Sequence, residues 1–120
     1  MDTDRSRSLH RLALEALEGG RLEEAVHLLR SAVGESHQNG QAWNDLGVVM
    51  EALGNPTQAA RCYAQAMQVN PFHREARANL FGLEMQTIAR KRMKAQAAQI
   101  VMSRIDPAGS TSRAARAISV

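Results

Sequence analysis

Few side chains in this 120-residue chain could do chemistry: four histidines and one cysteine stand out. A zinc site needs three or four His, Cys, Asp or Glu ligands at close, regular spacing, and His10, His27, His37 and His73 follow no such spacing. We place the first two on polar or groove faces of helices and the other two in or beside turns, as ordinary surface histidines. A lone cysteine forms no internal disulfide, and Cys62 lies among apolar residues, where a thiol packs like a small hydrophobic group. The sequence therefore predicts no metal site, no catalytic residue, no cofactor and no enzyme.

The charges are unevenly distributed along the chain. Residues 1–73 contain six Lys or Arg against nine Asp or Glu, a net charge of −3, whereas residues 74–120 contain nine against three, a net charge of +6. A basic patch in the second part consists of Arg90, Lys91, Arg92 and Lys94. Three interpretations are open: a solvated helix face, contact with an acidic protein surface such as that of another copy, or binding to nucleic acid or an anionic membrane. Nucleic acid is disfavoured, because no aromatic side chain lies among these four residues to stack on bases.

The elements that position these residues are predicted to be helices. Aromatic residues make up only 3% of the chain and hydrophobic residues 44%, so the core must consist of Ala, Leu, Val and Met, several of which are strong helix formers. The length allows one small domain. No apolar run is long enough to span a membrane, and the polar start lacks the pattern of a signal peptide. We therefore predict an all-α protein of the cytoplasm.

The chain contains an internal repeat. A shift of the sequence by 34 residues places residues 6–39 on residues 40–73 without a gap. A period of this length is typical of helical repeat proteins. Ala13 and Leu29 then coincide with Gly47 and Tyr63 as matches of size class. The identical pairs are Leu12 and Leu46, Gly20 and Gly54, Ala25 and Ala59, and Ala32 and Ala66.

Each repeat is predicted to form two short helices around a turn. In the second unit, apolar residues recur at helical spacing before and after a break at Gly54. This glycine can adopt the left-handed conformation that ends a helix. Asn55 can cap the next helix, Pro56 suits its first position, and Gln58 can complete a capping box. We therefore predict a helix over residues 55–69 and four helices in the two units.

The second unit resembles a tetratricopeptide repeat. The residues that match the family pattern are Trp43, Leu46, Gly47, Met50, Ala59, Tyr63, Ala66 and Pro71, with Met50 in place of the usual Tyr. The first unit is more degenerate, with Leu9 in place of Trp43 and His37 in place of Pro71. The resemblance implies a short solenoid of antiparallel helix hairpins that binds proteins or peptides in a concave groove.

The resemblance also implies which residues line that groove. The first helix of each unit provides them, and the implied set is Arg7, His10, Leu14, Leu17, Gln41, Asn44, Val48, Glu51, Glu75, Ala78 and Met85. Each of these could equally be an exposed helix residue without a partner, since helices always expose such faces.

Family members that bind chaperones hold a terminal carboxylate with Lys, Arg and Asn at five groove positions. Those positions are occupied here by His10, Leu14, Asp45, Glu75 and Asn79. Two carboxylates would repel the terminal carboxylate of such a peptide. We therefore expect no carboxylate clamp of the chaperone-binding type.

A long helix is predicted to follow the repeats, over residues 74–105, because no turn signal interrupts this stretch. We expect its near end to cover the second repeat through Leu80, Leu83 and Phe81, and its far end to be a projecting, basic and amphipathic extension. Residues 88–105 would then pair in a homo-oligomer through Ile100, Val101 and Ile105. Residues 1–5 and 106–120 are expected to be disordered.

These features favour a non-enzymatic adaptor or scaffold that binds a protein or peptide partner and forms homo-oligomers. Two alternatives remain open at this stage. One is an assembly or chaperone-type helper for a single client protein, and the other is a protein that associates with nucleic acid or an anionic membrane through its basic helix. Removal of residues after Phe72 would separate partners of the groove from partners of the basic end.

Overall fold

Five helices make up the part of the chain that the computed structural model describes, residues 2–105. They are α1 (Thr3–Glu18), α2 (Leu22–Glu35), α3 (Gly40–Ala52), α4 (Pro56–Val69) and α5 (Arg74–Ile105). Within these residues all regular structure is helical, so the predicted all-α class is confirmed. The expectation of disorder for residues 106–120 lies outside the described residues.

The first four helices form two hairpins. Helix α1 packs on α2, α3 on α4, and α2 on α3. The contacts are close because the most deeply buried positions carry alanine, whose small side chain lets two helix backbones approach each other. Fully buried alanines are Ala13, Ala25, Ala32, Ala42, Ala59, Ala66 and Ala76. The scarcity of aromatic residues therefore follows from the packing.

Both hairpins turn through the same glycine motif. Gly20 and Gly54 have φ values of +74° and +79°, the left-handed region that costs glycine little. The residue after each glycine donates its backbone N–H to a carbonyl five residues back, at 2.9 Å in the first turn and 2.8 Å in the second. These are Schellman turns, which satisfy carbonyls at a helix end.

The predicted restart after the second turn is confirmed except for one hydrogen bond. Helix α4 begins at Pro56, and the Asn55 side chain accepts a hydrogen bond from the Gln58 backbone N–H at 3.3 Å. The predicted capping box is wrong, because it requires Gln58 to accept from the Asn55 backbone N–H. That N–H donates instead to the Met50 carbonyl in the Schellman turn.

The ring of Tyr63 packs directly on the backbone of α3. Tyr63 is 1% exposed, and a Cβ atom at Gly47 would lie only 2.5 Å from its Cε1 atom. Glycine at this position is therefore required by the ring. The first hairpin has the opposite pairing, with Ala13 and Leu29 both fully buried. A smaller side chain on the second helix leaves room for a methyl group on the first.

The turns between the hairpins use other polar contacts. The Trp43 indole N–H donates to the His37 carbonyl at 3.1 Å. Asn39 caps α3 by accepting from the Ala42 backbone N–H at 3.1 Å, and His73 accepts from the Ala76 N–H at 3.2 Å through Nδ1. The role of Pro71, by contrast, is confined to an exposed turn.

The first repeat differs from expectation at two places. Residues 3–5 were expected to be disordered, but α1 begins at Thr3 because Asp2 caps it by accepting from the Arg5 backbone N–H at 2.9 Å. Leu12 is 44% exposed, whereas its repeat counterpart Leu46 is 4% exposed. The expectation of equivalent packing is therefore wrong at Leu12, since no helix precedes α1 among the described residues.

Helix α5 runs without a break from Arg74 to Ile105, and the chain divides into two units after Leu83. In the first unit, Leu83 is 6% exposed and Leu80 packs against the core, as predicted. The prediction is wrong for Phe81, which is 63% exposed. No helix within residues 2–105 is long and apolar enough to cross a membrane.

Candidate functional site: the groove between α1, α3 and α5

The first unit contains a groove of about 540 Å³ that lies between the first helices of the repeats. Its floor is aliphatic: Leu14, Leu17, Val48, Ala52 and Ala78 all line it. Leu14 and Val48 are 42% and 47% exposed, and both lie together in the groove lining, where they form part of one apolar patch. The groove therefore offers aliphatic surface to a ligand.

A row of polar side chains borders this floor and connects α1, α3 and α5. His10 Nε2 lies 2.6 Å from Asp45 Oδ2. The Gln41 side-chain N–H donates to Asp45 Oδ1 at 3.0 Å and to Glu75 Oε2 at 3.1 Å. Three helices are thus joined side by side through two carboxylates. We call these residues, with Asn44 and Asn79, the polar row.

Asn44 is the buried centre of the polar row. Its side chain donates to Glu75 Oε2 at 3.2 Å and to Asp45 Oδ1 at 3.4 Å, and its Oδ1 accepts from Asn79 at 3.0 Å. With 1% exposure, this amide would be costly to bury without those partners. Asn44 therefore positions both carboxylates at the edge of the groove.

The groove is electrostatically negative at this edge. Asp45 and Glu75 line it, and none of the described lining residues is Lys, Arg or His. Asp45 has His10 beside it. Among the described contacts, Glu75 accepts hydrogen bonds only from the neutral amides of Gln41 and Asn44. Opposite charge on a ligand would therefore be favoured here.

A second, polar pocket of about 280 Å³ lies between the start of α1 and the start of α3. Arg7 and His10 line it together with Ser6, Ser36 and Asn39. Ser6 is fully buried; its hydroxyl donates to the Ala32 carbonyl at 2.7 Å and accepts from the Asn39 side chain at 3.0 Å. Sequence reasoning missed these hydroxyl and amide residues.

The structure separates the groove residues implied by the sequence. Leu14, Leu17, Asn44, Val48, Glu75 and Ala78 line the groove, and Arg7 and His10 line the polar pocket. Gln41 is not part of the groove lining; its side chain donates hydrogen bonds to the carboxylates of Asp45 and Glu75. Glu51 is not part of the groove lining; it accepts a hydrogen bond from the Tyr63 hydroxyl at 2.6 Å. Met85 belongs to the second unit and is 43% exposed.

The sequence did contain a signal for the polar row. His10 and Asp45 are 35 residues apart, Gln41 and Glu75 are 34 apart, and Asn44 and Asn79 are 35 apart. These separations lie within one residue of the 34-residue repeat period, so each pair joins neighbouring first helices. Polar residues of complementary type that lie one period apart can therefore be paired from the sequence alone.

Two of the four histidines depart from the surface role expected of them. The side chain of His10 is only 14% exposed, and His73 caps α5. His27 and His37 are exposed, as predicted. Within residues 2–105, no three His, Cys, Asp or Glu residues are grouped so that they could hold a metal ion.

Two buried groups of the second repeat have altered acidity. Cys62 is 5% exposed, and burial raises the pKa of its thiol, an effect that the charge of Arg30 partly offsets. Burial, followed by the hydrogen bond to the Glu51 carboxylate, raises the pKa of Tyr63. Both groups are therefore neutral packing elements, in line with the prediction for Cys62.

The basic patch lies in the second unit, where every residue from 84 to 105 is exposed. The predicted amphipathic character is wrong, because apolar and basic side chains alternate around this part of α5. At 3.6 residues per turn, Val101 and Ile105 share a side with Arg90 and Lys94, whereas Ile100 lies about 100° away from Val101. Ile100, Val101 and Ile105 therefore form no continuous apolar stripe on the described part of α5.

Comparison with known proteins identifies the repeats. A family model described as tetratricopeptide repeat matches residues 16–80. The chain is 36% identical over 63 residues to tetratricopeptide repeat protein 7B of Mus musculus and of Homo sapiens, a stretch that covers 52% of this chain and 8% of each relative. The chain thus spans only a small part of these relatives.

Solved structures of low sequence identity share the fold. A crystal structure of MamA protein matches with a TM-score of 0.67 at 15% identity, over 92% of this chain and 60% of that chain. The first TPR of Spaghetti (RPAP3), bound to the HSP90 peptide SRMEEVD, matches with a TM-score of 0.69 at 12% identity, over the full length of both chains. The predicted helix-hairpin solenoid and the family resemblance are confirmed.

Proposed function

This chain belongs to the tetratricopeptide repeat family, a family of protein-interaction modules, and we propose that it is a non-enzymatic adaptor that binds an apolar segment of a protein partner in the groove. The partner segment is a peptide or a helix. We place the adaptor in the cytoplasm and assign it no cofactor.

The observation that carries the proposal is the exposure of Leu14 and Val48 on the groove floor. Both side chains present aliphatic surface inside a concave site, the arrangement typical of helix-in-groove and peptide recognition. Covering the remaining exposed part of each would contribute about 1 kcal/mol. The polar row at the edge would fix the orientation of the bound segment.

The nature of the groove argues against acidic peptides. The solved neighbour Spaghetti (RPAP3) holds the peptide SRMEEVD, which ends in acidic residues. Here the groove carries Asp45 and Glu75 and no cation among the described lining residues. We expect this peptide to bind weakly or not at all, and a Kd of about 10 μM or tighter would contradict the assignment.

A peptide-display selection on the full chain tests the proposal, with two matched variants. Leu14→Glu alters the groove, whereas Leu12→Glu alters a leucine of the same helix with nearly the same exposure, 44% against 42%, outside the groove. We expect selected peptides to bind Leu14→Glu at least about tenfold more weakly, a loss of about 1.4 kcal/mol, and to bind Leu12→Glu like the native chain. Equal binding to all three proteins would refute groove binding.

Two finer alternatives stay predictions: a helper for one client protein, and association with nucleic acid or an anionic membrane through Arg90, Lys91, Arg92 and Lys94. The helper role would use the same groove. The second alternative depends only on the exposed charge of the basic patch. Charge reversal of the basic patch should weaken binding to nucleic acid, to an anionic membrane and to an acidic protein surface alike. Charge reversal in the groove should weaken only contact with the acidic surface of another copy.

A further inference from the structure

The second unit presents cations and aliphatic side chains together. Residues 84–105 contain five Lys or Arg and one Glu, all exposed. The same segment also exposes large apolar side chains: Met93 is 70% exposed, Val101 53% and Ile105 71%. None of the described contacts gives a cation of the basic patch an ion-pair partner.

This helix is poorly suited to pair with its own copy side by side. Helix pairing needs a continuous apolar stripe, and Ile100, Val101 and Ile105 do not form one. Two copies placed side by side in parallel would also bring their basic patches together. Side-by-side pairing through Ile100, Val101 and Ile105 is therefore unfavourable, and self-association through residues 88–105 needs a different contact surface.

The groove of the first unit has the complementary chemistry. It combines an aliphatic floor with two carboxylates at its edge, and lacks Lys and Arg among its described lining residues. Among the described contacts, Glu75 has neutral amide donors and no ion pair with a cation. Within the first unit, residues 1–83 contain eight Lys or Arg against ten Asp or Glu. Such an arrangement attracts a basic segment and repels an acidic one.

We propose that the groove of one copy binds residues 88–105 of a second copy. The cations of the basic patch face Asp45 and Glu75, and aliphatic side chains of the same segment cover Leu14 and Val48. The proposal rests on the proposed function and names a second copy as the groove's occupant. The contact is heterologous, since a groove meets a helix, so two copies close as a dimer only if they exchange helices.

Sedimentation velocity of the full chain tests this contact, at about 0.05 M and about 0.5 M salt. The native chain should associate at about 100 μM protein in low salt, and the association should weaken at least about tenfold in high salt because salt screens the charges. A native chain that stays monomeric in low salt overturns the proposal.

Two variants locate the contact. Glu75→Lys reverses a groove carboxylate, and the double variant Arg90→Glu with Lys94→Glu reverses two cations of the basic patch. All the altered residues are exposed. Because Glu75 also accepts a hydrogen bond from the buried Asn44, circular dichroism and urea denaturation check that each variant keeps the native fold and stability. Each variant alone should associate at least about tenfold more weakly than the native chain. Glu23→Lys, an exposed charge reversal on α2 outside the groove, should associate like the native chain.

Mixing the two variants separates groove-to-helix contact from every other mode. The Glu75→Lys protein keeps a native helix, and the double variant keeps a native groove, so the mixture should regain association between unlike molecules. Pairing of two helices would instead let the Glu75→Lys protein, whose helix is native, associate as tightly as the native chain, and this result would overturn the proposal. A second result would also overturn the proposal: neither the native chain nor Glu75→Lys self-associates, and both bind a DNA duplex equally tightly. The basic patch would then serve nucleic acid and not the groove of another copy.

Failure of the self-association proposal can be distinguished from failure of the proposed function. If display-selected peptides lose affinity for Leu14→Glu but the native chain is monomeric, the groove binds other proteins and only the second copy is refuted. If the peptides bind Leu14→Glu unchanged, the proposed function itself fails.

Discussion

Replacement of Gly47 by alanine should destabilise the second hairpin because of the Tyr63 ring. The new Cβ atom would lie 2.5, 2.7 and 3.0 Å from three ring atoms, whereas ordinary contacts begin near 3.4 Å. The ring is 1% exposed and anchored by its hydrogen bond to Glu51. Overpacking of this kind costs about 1–3 kcal/mol, and the better helix propensity of alanine returns about 1 kcal/mol. The free energy of unfolding should therefore fall by up to about 2 kcal/mol.

The first hairpin indicates how to remove the clash. Its corresponding residues are Ala13 and Leu29, both fully buried. In a Tyr63→Leu background, Gly47→Ala should therefore raise the free energy of unfolding by up to about 1 kcal/mol, since only the gain in helix propensity remains. The same substitution would change sign between the two backgrounds. The coupling energy of the double-mutant cycle should be about 1–3 kcal/mol, the cost of the clash with the ring.

Urea denaturation followed by circular dichroism on the four proteins measures this coupling. Gly82→Ala is the control, because a Cβ atom there meets nothing within 4 Å and should stabilise both backgrounds alike. The reasoning would be refuted if Gly47→Ala had the same effect with Tyr63 as with leucine. In that case the ring could not be what demands glycine.

Three further predictions concern buried and capping groups. The raised pKa of Tyr63 means that the folded state holds the phenol neutral. The stabilising contribution of this phenol is complete below the unfolded pKa of about 10 and is lost as pH rises further. The phenolate absorbance of this lone tyrosine should therefore appear together with unfolding in alkali, and an ordinary titration of the folded chain would contradict this prediction. Cys62 is buried with a raised pKa, so a thiol reagent should label the folded chain at least about tenfold more slowly than the urea-unfolded chain; equal rates would mean that the thiol is accessible. Asn55→Ala removes the cap of α4 and should cost about 1 kcal/mol in urea denaturation, whereas the exposed change Gln65→Ala should leave the stability almost unchanged.

Local signals predicted the fold because each could be evaluated within one repeat. Glycine at position 54 followed by Asn55 and Pro56 specifies a turn and a restart by backbone chemistry alone. The capping box failed because two acceptors competed for the Asn55 N–H, and the Met50 carbonyl is preferred within the Schellman turn. The local sequence contains both the Met50 carbonyl and the Gln58 side chain as possible acceptors, and it does not show which of them binds the Asn55 N–H.

The site was harder to predict because it depends on contacts between helices. Asn44 was expected to face a partner, yet it is buried and bonded to three side chains of the polar row. Glu51 was expected in the groove, and its carboxylate is used by Tyr63. Both outcomes are set by the register of one helix against the next. Only the spacing of one repeat period carries that information in the sequence.

The bounds of the C-terminal helix were predicted correctly, but its amphipathic character was not, for a different reason. Ile100, Val101 and Ile105 are close in sequence and apolar, but they point in different directions around α5, so closeness in sequence does not make a stripe. Phe81 likewise occupies a repeat position that packs only when a second helix of the same hairpin follows. Here α5 continues instead, so the ring is left exposed.

The polar row has a consequence for the thermodynamics of recognition. Because the side chains of Gln41, Asn44 and Asn79 are already ordered by hydrogen bonds across neighbouring helices, the two carboxylates lose little conformational entropy when a partner arrives. The groove is preorganised, and most of the ordering cost falls on the incoming segment. A segment that is already helical before binding, as residues 88–105 are, brings that cost close to its minimum.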